Sequence, residues 1–339
     1  MRTIAPGPAE LQQLMPKDPE ATRALLLPWH RTLAGLAVLA LVPSWLSLAG
    51  GWFWFLDLFA NFRWQYLIVS VLICALAAAC RHRGLLALAG PTLLLNALLI
   101  GQLAWHPQVN AAELADDFAL RVVSLNVRTS NQDRQAVLDY LLQSDADVVV
   151  LLEVDQAWME ALAPLQASYP HQLSEPRSDN FGIALFSRAP WEKAAVIALG
   201  DAPRPSLEMR LVHQGRELVI IGTHPLPPGG SDWARSRDAQ LSALADYVQK
   251  ISVPVLVVGD FNATPWSAGM RRAMRGNLGF RSLAAAWKPT WEVRSIFAIP
   301  IDHALCTAPL VITSRSVGPD VGSDHRPLEI ALAMQSPVR

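Results

Sequence analysis

The chain has 339 residues, enough for roughly two domains, and its 28 Lys/Arg and 29 Asp/Glu give a formal net charge of −1. Seven of the basic and four of the acidic residues precede residue 107, so the C-terminal part is mildly acidic. Because nucleic-acid binding depends on neutralisation of phosphates by Lys and Arg, strong general binding of nucleic acid is not expected, although a local basic patch is allowed.

Cys306 is the only cysteine in this C-terminal part, which excludes a disulfide framework there. We interpret it as a small buried hydrophobe.

Three apolar stretches without Asp, Glu, Lys or Arg dominate the N-terminal third, at 33–50, 64–80 and 84–105. Each is near the ~20 residues that a helix needs to cross the hydrocarbon core of a bilayer. The first 30 residues are polar with several prolines, unlike a cleaved signal peptide, so we expect the helices to be retained. The sequence therefore predicts three transmembrane helices in a membrane domain over 31–105. An aromatic interfacial segment around Asp57 would connect the first two.

Basic residues beside the predicted helices indicate their orientation. Five of them precede the first helix or lie between the second and the third: Lys17, Arg23, Arg31, Arg81 and Arg83. The other loop contains Arg63. The positive-inside rule then places 1–30 in the cytoplasm as an N-terminal segment and everything after the third helix outside it. This predicts a multi-pass protein of the cell inner membrane, with a linker over 106–118 and a periplasmic or extracellular domain over 119–334.

Strand-like and helical patterns alternate from residue 120 onwards. Helices are predicted over 132–143, 155–165 and about 232–250. A hairpin is predicted to turn at Gln214-Gly215, and a buried strand covers 253–260. Further strands are predicted at "LRVVSLNV", "DVVVLLEV", "GIALFSR", "IDHALCT" and "RPLEIALA". The alternation indicates a mixed α/β domain.

Polar side chains stand beside nearly every predicted strand. They are Asn126, Glu153, His224, Asp260, Asn262, Asp302, Asp324 and His325. Each has an ordinary reading when taken alone, for example an Asx turn at Asp260, a helix N-terminal acid at Glu153 or a half-buried core histidine at His224. Ligands of open α/β sheets bind beyond the carboxyl ends of the strands, however, so together these side chains predict a site.

The residue types indicate the chemistry of this site. Carboxylate and amide oxygens suit a hard cation such as Mg²⁺ or Mn²⁺, which binds substrate phosphate. Histidines without cysteine ligands suit charge stabilisation and proton transfer better than a structural zinc site. Asp302 could fix the tautomer of His325. Asp260 and Asn262 would position an attacking water and a phosphate oxygen.

Seven segments, in order over 124–330, carry a resemblance to a known family: "SLNV", "LLEV", "GIALFSR", "GTHPLPP", "GDFNATP", "IDHALCT" and "SDHRPLEI". They resemble the endonuclease/exonuclease/phosphatase superfamily, which includes pancreatic-type deoxyribonucleases, abasic-site endonucleases, neutral sphingomyelinases and inositol-phosphate phosphatases. The most specific part is "GDFN" with a downstream "SDH". The resemblance implies a four-layer α/β sandwich, two packed mixed sheets flanked by helices, and divalent-metal-dependent hydrolysis of a phosphoester. It also implies that Glu153 is the main metal ligand, with Asn126 beside it and Asp324 completing the metal side.

The same resemblance implies the catalytic roles. His224 and Asn262 would bind the scissile phosphate, and Asp260 would orient or deprotonate the water. His325, paired to Asp302, would act as a general base or a transition-state stabiliser, a choice that the family leaves open.

Two further positions concern the substrate. Asn180 lies where members of the family often place a polar phosphate contact. Arg128 stands where abasic-site endonucleases have an acid, which weakens a DNA-repair function and leaves a cation for substrate phosphate.

Three functions are compared on these grounds. The first is a membrane-anchored, metal-dependent phosphodiesterase or phosphomonoesterase that acts outside the cytoplasm, including on phospholipid-type headgroups. The second is a tethered extracytoplasmic nuclease on DNA or RNA, which the acidity of the domain disfavours. The third is a catalytically silent binding module, against which the complete set of polar positions argues. The substrate, the number of metal ions and the oligomeric state stay open, because the loops at 225–238 and 285–300 suit several substrates.

Overall fold

The computed structural model describes residues 19–104, 114–115, 118–200, 204–280 and 288–336. Most of the predicted linker, 106–118, and residues 1–18 of the predicted N-terminal segment, including Lys17, lie outside these residues.

Helices build the described N-terminal part. They are α1 (Pro19–Leu46), α2 (Trp54–Leu58), α3 (Arg63–Ala79) and α4 (Arg83–Ala104), with 3-10 turns at Ser47–Ala49 and Phe59–Phe62. By length and composition, two helical stretches of the described chain could cross a membrane, Trp54–Ala79 and Arg83–Leu103, whereas the apolar helix Ala34–Ala49 is shorter. The second and third predicted spans therefore have matching helices. The first is not confirmed, because the described part of α1 contributes only the shorter apolar helix Ala34–Ala49.

A buried polar cluster joins three of these helices at one end. The Arg63 guanidinium donates to the Ser44 carbonyl oxygen at 3.0 Å and to Asn96 Oδ1 at 3.3 Å. Asn96 Nδ2 donates in turn to Ser44 Oγ at 2.9 Å. Since buried polar groups need hydrogen-bond partners inside the protein, these bonds fix α1, α3 and α4 relative to one another.

The strands of the described chain form two mixed sheets. The first contains β1 (Leu120–Asn126), β2 (Val148–Leu152), β3 (His171–Glu175), β4 (Ile183–Ser187), β10 (Leu310–Val317) and β11 (Leu328–Met334). The second contains β5 (Trp191–Ala198), β6 (Pro205–His213), β7 (Arg216–Thr223), β8 (Val255–Asp260) and β9 (Asp302–Cys306). The strand order is β10-β11-β1-β2-β4-β3 in the first sheet and β5-β6-β7-β8-β9 in the second.

Helices cover the outer face of each sheet. They are α5 (Arg134–Gln143), α6 (Gln156–Ala161), α7 (Ser231–Val248) and α8 (Ala268–Ala273). The inner faces of the two sheets share one core, in which Val150 of the first sheet and Ile220 of the second are fully buried. Separate clusters pack α5 and α6 against the first sheet and α7 and α8 against the second. The predicted architecture of two packed sheets flanked by helices is thus confirmed, and Cys306 is buried in the core as expected.

Two pairs of parallel strands determine where a site can form. β1 runs parallel to β2 in the first sheet, and β7 runs parallel to β8 in the second. The sheets approach closely at Gly222 of β7, where a Cβ atom would lie 2.7 Å from Val150 Cγ1. The carboxyl ends of both pairs meet at one edge of the sandwich, the position expected for a ligand site.

Candidate active site

The predicted polar residues come from both sheets. Asn126 ends β1 and Glu153 follows β2 directly, whereas His224 follows β7 and Asp260 ends β8. Asp302 opens β9 opposite Asp260 in the antiparallel register. The short loop before β11 adds Asp324 and His325, so the packing of the two sheets is what assembles the group.

Asn126 connects the two halves of the group. Its Nδ2 donates to Glu153 Oε1 at 2.9 Å and, across the sheets, to Asp260 Oδ2 at 3.2 Å. Its Oδ1 accepts the Arg128 backbone N–H at 2.9 Å. Asn126 is fully buried, so its amide holds both carboxylates from behind, whereas Glu153 is only partly buried.

Two buried histidines flank Asp260. His224 Nε2 lies 3.4 Å and His325 Nε2 3.6 Å from Asp260 Oδ2. The other ring nitrogen of His325, Nδ1, lies 2.9 Å from Asp302 Oδ2, which is the pairing expected from the sequence. His224 Nδ1 has no hydrogen-bond partner among the described residues. Asp260 and Asp302 therefore hold the His325 ring between two carboxylates.

The protonation of His325 follows from this position. Burial disfavours the charged imidazolium, but the carboxylates of Asp302 and Asp260 more than offset that effect and raise the pKa of His325 to about 10. Burial likewise disfavours the charged form of Asp260, yet His325 and His224 lower its pKa to about 2. In this geometry His325 carries a proton near neutral pH and Asp260 is a carboxylate.

The backbone around the group adopts left-handed conformations. Arg128, Glu153, Asn180 and Asn262 have φ values of 58°, 61°, 64° and 48°, and they are four of the seven non-glycine residues with positive φ in the described chain. Such conformations are uncommon outside glycine and cluster at functional sites. Position 259 also requires glycine, because its φ is +151° and a Cβ atom there would lie 2.0 Å from the Thr223 carbonyl oxygen.

One cavity of about 540 Å³ brings most of the predicted residues together. Seven of them line it: Glu153, Asn180, His224, Asp260, Asn262, Asp324 and His325. Asn126 and Asp302 are fully buried and contact these residues from behind. Arg128 stands beside Asp324, with its Nε 4.0 Å from Asp324 Oδ1.

The donor groups in this cavity could hold a metal ion in one of two places. The carboxylates of Glu153 and Asp324 line the cavity with hard oxygen donors. A second set, Asp260, Asp302 and His325, has ligand atoms within 4.8 Å of one another among the described residues. The residues of the second set are all buried, whereas Glu153 and Asp324 are only partly buried. The Glu153 and Asp324 side is therefore more accessible to an ion from solution.

Several residues of the site were not predicted from the sequence. Ser323 Oγ donates to the Asn126 carbonyl oxygen at 2.7 Å and accepts the His325 N–H at 3.1 Å, which fixes the loop before β11. Trp291 Nε1 donates to Asp324 Oδ2 at 3.3 Å, and the Phe181 ring lies 5.1 Å from the His224 ring. Serine in "SDH" and the aromatic residues of the loops are visible in the sequence, but their pattern does not indicate which polar group they contact.

The cavity also has a wall from the N-terminal part of the chain. Leu58 of α2 and Asn61 and Phe62 of the following 3-10 turn also line it. The sequence had indicated only an interfacial segment between two helices in this region.

Comparison with known proteins gives both a family and a fold. Residues 123–325, more than half of the chain, match the Endonuclease/Exonuclease/phosphatase family. A UPF0294 protein of Vibrio parahaemolyticus is 27% identical over 154 residues, 44% of this chain and 50% of the relative. The chain thus spans about half the length of that curated relative.

Solved structures share the fold of the C-terminal part. TDP2 of D. rerio, solved with a single-strand DNA product, has a TM-score of 0.55 at 17% identity, covering 63% of this chain and 98% of its own. The human Nocturnin catalytic domain, solved with a bound sulfate anion, has a TM-score of 0.52 at 21% identity, covering 64% of this chain and 95% of its own. At these identities the likeness concerns the fold alone.

Proposed function

Because the chain belongs to the endonuclease/exonuclease/phosphatase family, we propose that it hydrolyses a phosphoester bond with the help of a divalent metal ion, Mg²⁺ or Mn²⁺. The observation that carries this proposal is the single cavity that Glu153 and Asp324 share with His224, Asn262 and His325. Carboxylates together with groups that can donate hydrogen bonds to a phosphate are what a metal ion and a phosphoester need.

The metal side of the site is assigned to three residues. Glu153 is the main ligand and Asp324 completes the set, with Asn126 beside them. The oxygen donors fit a hard cation, and the cavity lining contains no cysteine among its described residues. When bound, the ion would act as a Lewis acid that neutralises charge on a phosphate oxygen.

The remaining residues act on the phosphate and the water. His224 and Asn262 bind the scissile phosphate, with Asn180 and Arg128 as further contacts. Asp260 orients the attacking water and accepts its proton while the water oxygen bonds to phosphorus. The bond between phosphorus and the leaving oxygen breaks, and that oxygen takes up a proton from solvent.

His325 has the role that its protonation supports. Because the pKa of His325 is raised to about 10, the ring is a donor near neutral pH and stabilises charge that develops on the phosphoryl oxygens. Of the two roles that the family leaves open, we therefore favour transition-state stabilisation over that of a general base. Asp302 holds the ring in place through Nδ1.

The membrane helices and the charges beside them support a location for this chemistry. We propose that α1, α3 and α4 cross the inner membrane and that the catalytic residues face the periplasm or the exterior. The apolar stretches at Trp54–Ala79 and Arg83–Leu103 support two of the crossings, and the distribution of basic residues supports the orientation. Accessible phosphoesters there include phospholipid headgroups.

A substrate panel tests the function. The full chain in detergent, with Mg²⁺ or Mn²⁺, is assayed against phospholipids, single-stranded and duplex DNA, RNA, and simple phosphate monoesters and diesters. We expect hydrolysis of at least one phosphoester, and its loss in Asp260→Asn. Binding without hydrolysis of any of these would instead support a silent binding module, and preferred cleavage of polynucleotides would support a nuclease.

A further inference from the structure

The segment between α1 and α3 is attached by buried polar contacts to the two-sheet fold of residues 118–336, which we name the catalytic part. The Asp57 carboxylate accepts the Ala268 N–H at 2.7 Å and lies 3.2 Å from Arg237 Nη2, with both side chains almost fully buried. Asn61 Oδ1 accepts the Thr264 hydroxyl at 2.9 Å. Residues 47–62, which we name the connecting segment, are therefore part of the surface of the catalytic fold.

This attachment gives the cavity an apolar wall. Leu58 and Phe62 of the connecting segment line the cavity with apolar side chains, as do Ile299 and Ile301 from the catalytic part. The carboxylates and histidines line the same cavity. A substrate that fits this mixed lining has a phosphate group next to an apolar portion, because burial of apolar surface stabilises the complex roughly in proportion to its area.

A groove continues from the same wall towards the helices. It has a volume of about 550 Å³ and lies between the first turns of α3, with Trp64 and Ile68, and a loop that includes Ile296. Asn61 lines both the cavity and this groove. Gln65 Nε2 donates to the carbonyl oxygens of Ile296 at 3.2 Å and Ala298 at 2.9 Å, which fixes the loop to α3.

The groove is continuous with a surface that lipid covers if α3 crosses the membrane. Ile68 is 56% exposed and Ile296 80% exposed, and Leu72, one turn further along α3, is 63% exposed. Ile68 stands only about 8 Å along the helix axis from Arg63, at the interfacial end of the span. Lys288 also lines the groove and adds a cation, which suits an anionic lipid surface.

We propose that this groove, named here the lateral groove, holds the acyl portion of a membrane lipid whose phosphate is hydrolysed in the cavity. This inference rests on the proposed phosphoesterase function. In this proposal the connecting segment and α3 determine which substrate binds, in addition to anchoring the chain. The substrate is then an amphiphilic phosphoester that reaches the site sideways from the bilayer.

The test compares two tryptophan substitutions on neighbouring helices. Ile68→Trp fills the groove, whereas Leu98→Trp changes a position of α4 outside the groove lining that is 57% exposed, nearly the same as Ile68. The full chain in mixed micelles is assayed with dioleoyl and dibutyryl phosphatidylglycerol and with bis(4-nitrophenyl) phosphate. We expect Ile68→Trp to lower the ratio of kcat/KM for the long-chain over the short-chain lipid by about tenfold or more, as for lost apolar contacts in a substrate pocket. Leu98→Trp should leave the ratio unchanged.

A second variant tests the same groove in case Ile68→Trp does not fold. Ile296→Ser removes an apolar side chain from the opposite, highly exposed wall and should lower the same ratio. Equal effects of the two tryptophan variants, or parallel losses on both lipids, would overturn the inference. Cleavage of the soluble diester but of neither lipid would overturn it and leave the proposed function intact. If the wild-type chain cleaves no phosphoester with Mg²⁺ or Mn²⁺, both proposals fail.

Discussion

Replacement of Asp57 by alanine removes the carboxylate that joins the connecting segment to the catalytic fold. The side chains of Asp57 and Arg237 are 5% and 2% exposed, so neither charge has water to replace the lost partner. Breaking a buried ion pair from one side costs about 3–5 kcal/mol. Arg237 keeps a bond to Asp238 Oδ1 at 2.8 Å and one to the Asn262 carbonyl oxygen at 3.1 Å, which places the expected cost at the lower end, about 3 kcal/mol.

Melting of the full chain in detergent measures this cost. A loss of about 3 kcal/mol corresponds to a decrease in Tm of about 6–12 °C, since 1 kcal/mol shifts the Tm of a domain of this size by about 2–4 °C. The matched control is Asp232→Ala, which removes an exposed ion pair with Arg235 on the same helix as Arg237 and should change the Tm little. Arg237→Ala added to Asp57→Ala should cost less than it does alone, because the two residues share one interaction.

Two outcomes would refute this reasoning. A Tm of Asp57→Ala equal to that of the Asp232→Ala control would show that the ion pair does not stabilise the docked arrangement. Strictly additive losses in the double variant would show that Asp57 and Arg237 act independently.

Three other predictions concern chemistry and topology. His325→Ala should lower turnover about 10²- to 10⁴-fold, and adding Asp302→Ala should lower it little further, because the two side chains act as one unit. Additive losses of turnover in variants with unchanged Tm would contradict this pairing. Chelation with EDTA should abolish hydrolysis and Mg²⁺ or Mn²⁺ should restore it, whereas activity that survives EDTA would exclude the assigned metal side. Reporter fusions at about residues 82 and 115 should report opposite compartments, and a cytoplasmic signal from the second would reverse the orientation.

Central strands were predictable because burial on both faces leaves a clear pattern. β2 and β8 are fully buried, and their sequences "VVVLL" and "VLVVGD" read as strands without structural information. Strands β3, β5 and β10 were not predicted, and all three lie at sheet edges. Edge strands pack on fewer sides and carry polar residues, as "HQLSE" does, so their hydrophobic pattern is weak.

The site was predictable to the extent that its residues follow strands. Because parallel strands end at one edge, Asn126 could be expected near Glu153, and His224 near Asp260. The bond from Asn126 to Asp260 joins residues 134 positions apart in different sheets, and no local pattern indicates how two sheets pack. Asp57 was interpreted as a lone acid in an interfacial segment for the same reason, since its partner Arg237 lies 180 positions away.

The docked connecting segment has a consequence for work with soluble fragments. A chain shortened to begin near residue 119 would keep the carboxylates and histidines but lose Leu58 and Phe62, so its cavity would open on one side. It would also leave Arg237 without Asp57 and Thr264 without its acceptor on Asn61. Such a fragment could still cleave small soluble phosphoesters while failing on lipids. A negative lipid assay on it would therefore report the missing wall rather than the substrate preference of the full chain.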